Sequence, residues 1–290
     1  MTLHQGAANA AAQPFPASVA SERWMRWSHS ALSASAAFWL IVMLAGQAVF
    51  AMYVAVFYGG ATLAGDVERW NKVLPKGYGA GDAFGNAILA LHLFFAVVWV
   101  LSGVIQLVPA IRRHLPALHR WNGRLYLCCS AALALGGLWL VWVRGGVVGD
   151  VGQHLAISIN ALLILGCGAK AWQAARSHRF SDHRRWALRL FVAASGVWFF
   201  RVGLMAWLTL HRRPVGFDAA TFQGPFLTLL AFGSYVLLPL ASLQLYFHAK
   251  DRRSPGIRFG AAVLIGGMTL ILCMGAVAAT MGMWWPRVSS

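Results

Sequence analysis

Five side chains capable of chemistry lie in or beside apolar stretches of the chain: His92, His119, His154, His183 and Arg201. A histidine or arginine placed in or against a lipid bilayer is costly and usually has a function. The four histidines fall on four successive apolar stretches and alternate between their two ends. This pattern predicts one level of imidazoles near each membrane face, which is the arrangement that a two-haem electron carrier needs.

The composition indicates an integral membrane protein. Of the 290 residues, 59% are hydrophobic and 11% are charged, whereas soluble domains carry about 25% charged residues. The formal net charge of +16 could suggest a nucleic-acid partner. The basic residues stand in short loops between apolar stretches and not on a polar domain, so we exclude nucleic acid and infer a membrane topology signal.

Seven stretches are long enough to cross a bilayer as helices, which takes about 20 residues each. They predict an all-α membrane protein with seven transmembrane helices. The predicted spans are 35–58, 87–108, 125–143, 154–175, 187–210, 225–247 and 259–281. Pro239 is expected to kink the sixth span. The pairs Gly136-Gly137 and Gly266-Gly267 are expected to permit close helix packing.

The loop charges predict the orientation. Fourteen basic residues lie on the side of the amino terminus and seven on the other side, which puts the N-terminus in the cytoplasm and the C-terminus outside. We expect a polar cytoplasmic tail over 1–30, an uncleaved first span, and a membrane domain over 31–290 with its functional core at 85–250. The expected location is the bacterial inner (plasma) membrane, with anionic lipids at the cytoplasmic loops.

Helical periodicity directs the histidines of the second and fourth spans toward other helices. His92 shares one helix face with Trp99, Gly103 and Gln106, and His154 shares a face with small and polar residues. Polar and small residues in membrane helices face the bundle and not the lipid. We therefore predict a central four-helix bundle of spans two to five, flanked by the other three. His92 and His154 are expected at a similar depth near the exterior face.

Arg201 is predicted to lie inside the fifth span at the same exterior level. It follows His183 by eighteen residues, or about 27 Å at the helical rise. The predicted spans contain no Asp or Glu to neutralise it. A haem propionate or a bound anionic substrate would serve as its partner, and backbone carbonyls, water or snorkelling to the surface are the structural alternatives.

Each histidine also has a structural interpretation. His119 and His183 adjoin arginines at a predicted water interface, so either can be an ordinary headgroup contact, and His154 can simply begin its helix. The long exterior loop 59–86 is Gly-rich and holds three of the eight acidic residues. It can be a lid, a docking surface or a solvated connector.

The stretch 91–127 carries the most specific pattern of the chain. It combines His92, Gly103 and Gln106 with Leu118-His119-Arg120-Trp121-Asn122-Gly123-Arg124-Leu125-Tyr126. This stretch resembles the bacterial multi-pass membrane family known as domain of unknown function 2306. The later His183-Arg184-Arg185-Trp186 with Arg201 is similar to the second signature of that family. The resemblance covers about residues 85–250 and implies no activity.

The chain is more distantly similar to the two-haem cytochrome b-561 group, which has one haem-ligating histidine on each of four consecutive helices. That resemblance implies that His92 pairs with His154 and His119 with His183. His119 and His183 are shallower in their helices than the ligands of that group, and no ascorbate site is recognisable.

Two functional hypotheses follow from these observations. The first is a haem b protein with one or two bis-histidine sites that moves electrons between a quinone or redox partner protein and an exterior acceptor, and so acts as a membrane oxidoreductase. The alternative is a non-haem transporter or small-molecule membrane receptor whose polar pocket includes His92, Gln106, Asn160 and Arg201. A structural or assembly role is the third reading.

Overall fold

The computed structural model describes residues 19–74, 76–145, 147–252 and 254–289. Its architecture is helical, and an isolated antiparallel bridge joins Asp218 and Gln223. The α-helices are α1 Val19–Val54, α2 Gly60–Leu63, α3 Ala83–Leu107, α4 Pro109–His114, α5 Pro116–Trp139, α6 Val151–Arg176, α7 Phe180–Ala194, α8 Gly196–His211, α9 Pro225–Phe232, α10 Leu238–Asp251, α11 Pro255–Ala279 and α12 Trp285–Val288.

Among the described residues, six helical stretches are long and apolar enough to span a membrane, and the bent pair α7–α8 makes a seventh. The six are Ser21–Leu63, Ala83–Leu107, Pro116–Arg144, Val151–Arg176, Pro225–Asp251 and Pro255–Val288. The all-α membrane prediction is thus confirmed, with six to seven candidate spans among the described residues. We name the side where α1 begins the N-face and the opposite side, where the chain ends, the C-face.

The first span is longer than the sequence predicted. Its helix begins at Val19 and not at residue 35, so much of the expected polar tail 1–30 is helical. Residues 1–18 of that tail lie outside the described residues. Trp24 packs against Phe259 at the start of α11, with ring centroids 5.3 Å apart. This contact holds the polar beginning of α1 against a neighbouring helix.

The fifth span is broken, whereas the sequence predicted one continuous helix over 187–210. Helices α7 and α8 meet at Ser195 with a bend of 50°. The Ser195 hydroxyl donates to the Phe191 carbonyl at 2.7 Å and accepts from the Gln47 amide at 2.8 Å. Gly196 admits Tyr235, since a Cβ there would lie 2.7 Å from its ring. These neighbours lie far away in sequence, so local periodicity does not reveal the break.

Four π-helical turns lie in the half of the bundle nearer the C-face. They are Ala55–Gly59, Leu140–Arg144, Gly233–Leu237 and Thr280–Trp284. The turn Gly233–Leu237 comes directly before Pro239, where the sequence predicted a kink. A proline lacks the N–H that would bond the carbonyl four residues earlier, which here is that of Tyr235. Asn160 of α6 supplies the missing donor at 2.7 Å.

The helices pack in a sequence of neighbours. Helix α3 lies against α5, α5 against α6 and α6 against α7, while α11 lies against both α1 and α8. Gly275 of α11 touches the Val202 carbonyl of α8. The predicted close packing at Gly136-Gly137 is present, because the His92 ring lies against both glycines. The corresponding prediction for Gly266-Gly267 is wrong, since a Cβ at either position would have no neighbour within 4 Å.

Two aspartates anchor the loops at the C-face. Asp82 accepts from the Gly85 backbone at 2.9 Å and pairs with Arg144 at 2.9 Å, which ties the loop 59–86 to the end of α5. Asp150 accepts from the backbone N–H of Gln153 at 2.8 Å. It also accepts the Thr228 hydroxyl at 2.7 Å. The pair of Asp82 with Arg144 therefore fixes the end of the loop 59–86 to the π turn that follows α5.

These contacts predict acid lability. The Gly85 N–H and Arg144 hold the pKa of Asp82 below its usual value, and the Gln153 N–H and Thr228 do the same for Asp150. A depressed folded pKa stabilises the protein above the unfolded value of about 3.9, and that contribution is lost as the pH falls through the folded pKa values. We expect the melting temperature in detergent to fall steeply below about pH 4, and less steeply in Asp150→Asn. Asp66→Asn, on an exposed side chain, is the control and should follow the parent protein.

Candidate functional site

Two of the predicted histidines come together at the N-face. His119 in the first turns of α5 and His183 in the first turn of α7 are close enough to interact through their charges. His183 Nδ1 lies 2.9 Å from the Ala171 carbonyl of α6. A carbonyl can only accept, so this contact places the proton on Nδ1 and leaves Nε2 with a free lone pair. His119 Nδ1 is buried and has no hydrogen-bond partner among the described residues.

The position of His119 is fixed by polar contacts between α3 and α5. The Gln106 amide donates to the His119 carbonyl at 2.9 Å. The Asn122 amide donates to the Ser102 carbonyl at 2.8 Å, and the Ser102 hydroxyl donates back to Asn122 at 3.0 Å. Inter-helix hydrogen bonds of this kind orient membrane helices. The polar residues around His119 therefore serve to position its helix turn.

The entries to α5 and α7 are built alike. Arg124 lies over the Trp121 ring at 4.4 Å, and Arg189 lies over the Trp186 ring at 4.8 Å. In both cases the arginine follows the tryptophan by three residues, which puts the pair on one helix face. Each histidine thus begins a helix whose next turns carry a cation–π pair near the membrane surface.

At the other level, His92 is grouped with Arg201. The His92 ring lies against α5, since Cβ atoms added at Gly136 and Gly137 would be 3.4 and 3.6 Å from its Nδ1 and Cε1. The Nδ1 atom is buried without a partner among the described residues. Arg201 acts on His92 through its charge. Small residues on α5 are what allow an imidazole to lie between α3 and α5 at this depth.

His154 has its own local contacts on α6. Its Nε2 lies 3.1 Å from the Val147 carbonyl, so in this arrangement Nε2 carries the proton and donates. The His154 ring meets Trp142 edge-on at 6.0 Å. No interaction with His92 is found for it within the described part of the chain. The structure thus brings together the N-face pair, whereas His154 is engaged elsewhere.

Arg201 is a cation inside the bundle without a carboxylate. Its guanidinium lies over the Phe50 ring at 5.3 Å and donates to the Val197 carbonyl of its own helix at 3.3 Å. The three ion pairs among the described residues join Arg144 with Asp82, Arg179 with Asp182, and Arg185 with Asp251. The charge of Arg201 also acts on Tyr58 and Tyr235. Arg201 is therefore surrounded by aromatic and neutral polar groups.

An aromatic stack lies between the two levels. The Trp99 ring is 5.4 Å from Tyr126 and 6.2 Å from Phe191, so α3, α5 and α7 each supply one ring. Gly103 makes room for this stack, because a Cβ there would lie 3.2 Å from Tyr126. The Trp99 indole N–H donates to Ser130 at 3.0 Å. The mid-membrane part of the bundle is thus filled with stacked rings.

Several residues near Arg201 were not identified from the sequence. Tryptophans at span ends are typical of the membrane interface, but Trp284 and Trp70 are 1% and 4% exposed. Trp284 packs on Phe50 at 5.3 Å and on Tyr53 at 6.4 Å. The π turn at Thr280–Trp284 rotates Trp284 relative to a regular helix, which a periodicity analysis cannot anticipate. Aromatic residues concentrated at the ends of the first and last spans were the available signal.

The arrangement fits two kinds of ligand. A low-spin haem iron needs two imidazole ligands, and His183 Nε2 and His119 Nδ1 are ring nitrogens without a hydrogen bond to the described residues. Groups of three or more His, Cys, Asp or Glu suited to a metal ion are not found among the described residues. No carboxylate pairs with Arg201 among the described residues, so the region around it suits an anion.

The comparisons with known proteins identify a family. No curated protein and no solved structure matches the chain. The family model described as "Predicted membrane protein (DUF2306)" matches residues 89–247, which is more than half of the 290 residues. The matched part runs from α3 to α10 and includes the paired imidazoles at the N-face, His92 and Arg201. The chain therefore belongs to the DUF2306 family of predicted membrane proteins.

Proposed function

We propose that this multi-pass membrane protein holds one b-type haem between His119 and His183 and takes part in membrane electron transfer. The observation that carries the proposal is that two imidazoles at the N-face each have a ring nitrogen without a described hydrogen bond, and that one of them, His183, is oriented by a backbone carbonyl. An axial histidine commonly donates its Nδ1 proton to a carbonyl, which fixes the ring and strengthens the other nitrogen as a ligand. His183 makes this contact with Ala171.

The surroundings of the pair support the same cofactor. Arg112 acts on His119 through its charge, and Arg184 adjoins His183. Cationic side chains at this edge would neutralise the propionates of a haem whose ring enters between the helices. The second haem predicted between His92 and His154 is not part of the proposal, because no interaction between these two imidazoles is found among the described residues.

A haem held in this way would supply a reversible one-electron centre. The chain's own residues would hold and insulate it: Ala171 fixes the His183 tautomer, and Gln106 positions the turn that carries His119. The stack of Trp99, Tyr126 and Phe191 excludes water from the middle of the bundle. We propose the cytoplasm for the N-face and the bacterial inner membrane for the protein, with a quinone or a redox protein as electron partner.

The test is an optical spectrum of the protein purified in detergent from haem-supplemented cells. We expect a Soret band and a reduced b-type α-band, both lost in His119→Leu and His183→Leu. His154→Leu and the exposed His178→Leu are matched controls that should retain the bands. A parent protein without a Soret band would sink the proposal, and so would bands that persist in both N-face variants.

A second candidate function is a transporter or receptor for a small anion. The observation that favours it is Arg201, a cation inside the membrane-spanning bundle without a carboxylate partner among the described residues. A charged side chain at such a depth is usually part of a ligand or ion pathway. The chemistry of that ligand follows from the residues around Arg201.

A further inference from the structure

The region around Arg201 is walled by aromatic rings from two spans, the first and the last. Arg201 of α8 lies over Phe50 of α1 at 5.3 Å, and Phe50 packs on Trp284 of the last span at 5.3 Å. Tyr53 lies 6.4 Å from Trp284 and 6.0 Å from Tyr58. We call Phe50, Tyr53, Tyr58, Trp284 and Arg201 the aromatic cation site. Its walls come from the α1 and α11 spans, outside the part of the chain matched by the family model.

The aromatic cation site has two groups that can only donate, the Arg201 guanidinium and the Trp284 indole, beside the Tyr53 and Tyr58 hydroxyls, which can donate and accept. The Arg201 guanidinium has one described hydrogen bond, to the Val197 carbonyl. That carbonyl belongs to the preceding turn of the same helix and carries no full charge. Trp284 is 1% exposed, yet its indole N–H has no partner among the described residues. A buried donor without an acceptor is unfavourable. At this site the Trp284 indole N–H has no described acceptor, and the Arg201 guanidinium has only a neutral carbonyl.

We propose that the aromatic cation site binds an amphipathic monoanion, a carboxylate joined to a flat apolar body. The carboxylate would take the free edge of the guanidinium, whose fork matches it in two parallel hydrogen bonds. The body would pack on Phe50, which is partly exposed. Inorganic phosphate could meet the guanidinium, but it has no apolar surface to place against the aromatic rings and would have to leave water. The inference deepens the second candidate function and does not depend on haem at His119 and His183.

The test is equilibrium binding of radiolabelled 1-naphthoate to the full-length purified protein in detergent. We expect saturable binding that unlabelled naphthoate competes with, and that neutral naphthalenemethanol and inorganic phosphate do not. Arg201→Gln should weaken binding about 10- to 100-fold, since a hydrogen-bonded charge is lost. Arg201→Lys keeps the charge and loses the fork, so it should bind about 10-fold more weakly than the parent. Arg213→Gln, on an exposed loop arginine, is the matched control and should bind as the parent does.

The outcomes are separable. An absence of saturable naphthoate binding, equal binding by Arg201→Gln, or displacement by phosphate overturns the inference. If Arg201→Gln does not fold, Arg201→Lys decides, because unchanged affinity in that variant rules out recognition by the guanidinium fork. The haem spectrum of the same samples reports independently on the N-face pair. Binding accompanied by naphthoate uptake into proteoliposomes indicates a transporter, and binding without uptake indicates a receptor.

Discussion

Replacing Gly275 with alanine is expected to prevent most of the protein from reaching its folded state in the membrane. Gly275 of α11 meets the Val202 carbonyl of α8, so an added methyl group would collide with backbone that no rotamer change can move. Overpacking of a filled interior costs about 1–3 kcal/mol and occasionally more. We expect the upper end of that range. The measurement is the melting temperature in detergent together with the monodisperse fraction in size-exclusion chromatography.

A matched control exists on the same helix. Gly267 is also a helical glycine of α11, but a Cβ there would meet nothing within 4 Å. Gly267→Ala should be neutral or slightly stabilising, because alanine is favoured over glycine inside a helix by up to about 1 kcal/mol. Equal melting temperatures for Gly275→Ala and Gly267→Ala would contradict the close approach of α11 and α8.

The second large effect is expected from Asn160→Leu. The Asn160 amide donates to the Ala193 carbonyl at 2.9 Å and to the Tyr235 carbonyl at 2.7 Å. The Ala193 carbonyl lies beside the break at Ser195. The Tyr235 carbonyl is the one that a backbone N–H at position 239 would bond, and Pro239 has no N–H. Leucine would leave both carbonyls buried without this donor, at about 1–3 kcal/mol for each unsatisfied group. We expect a large fall in stability, measured as the melting temperature.

A double-mutant cycle separates this role from simple loss of packing. Pro239→Ala restores a backbone N–H that can reach the Tyr235 carbonyl, so the double variant should lose less stability than the sum of the two single variants. Gln244→Leu, which removes an exposed amide partner of Arg189, is the control and should change the melting temperature little. Strict additivity of Asn160→Leu and Pro239→Ala would refute the proposed exchange of donors.

Much of the fold follows from the sequence because a bilayer imposes simple requirements. Apolar length sets the spans, and periodicity directs polar residues to the interior, as for Gln106 and Asn160. The structure departs from the prediction where contacts between residues far apart in sequence determine the local helix geometry. The stretch around Ser195 contains no proline, and its one local signal is the pair Ser195-Gly196, a combination at which helices can kink. The partner Gln47 is 148 residues away. The early start of α1 was missed because a polar helix end carries no apolar signal.

The candidate sites were predictable in part. Spacing indicated two levels of histidines and placed Arg201 near the level of His92, and in the structure Arg201 acts on His92. The side-chain directions were not accessible from spacing. His154 was expected to face His92, but it turns to Val147 because that loop carbonyl lies within hydrogen-bond reach. The aromatic neighbours of Arg201 were missed because they come from α1 and the last span, far from Arg201 in sequence.

The clustering of the π turns divides the bundle into two halves with different freedom to change. A π turn holds one residue more than the α-helical turn it replaces, and one residue corresponds to a rotation of about 100° around a helix. Ala55–Gly59, Leu140–Arg144, Gly233–Leu237 and Thr280–Trp284 all lie toward the C-face. Gain or loss of a single residue there redirects the side chains of the C-face half and leaves the helix register at His119 and His183 untouched. A change of one residue in these turns can therefore alter the side chains presented in the C-face half of the bundle without altering the N-face half that carries His119 and His183.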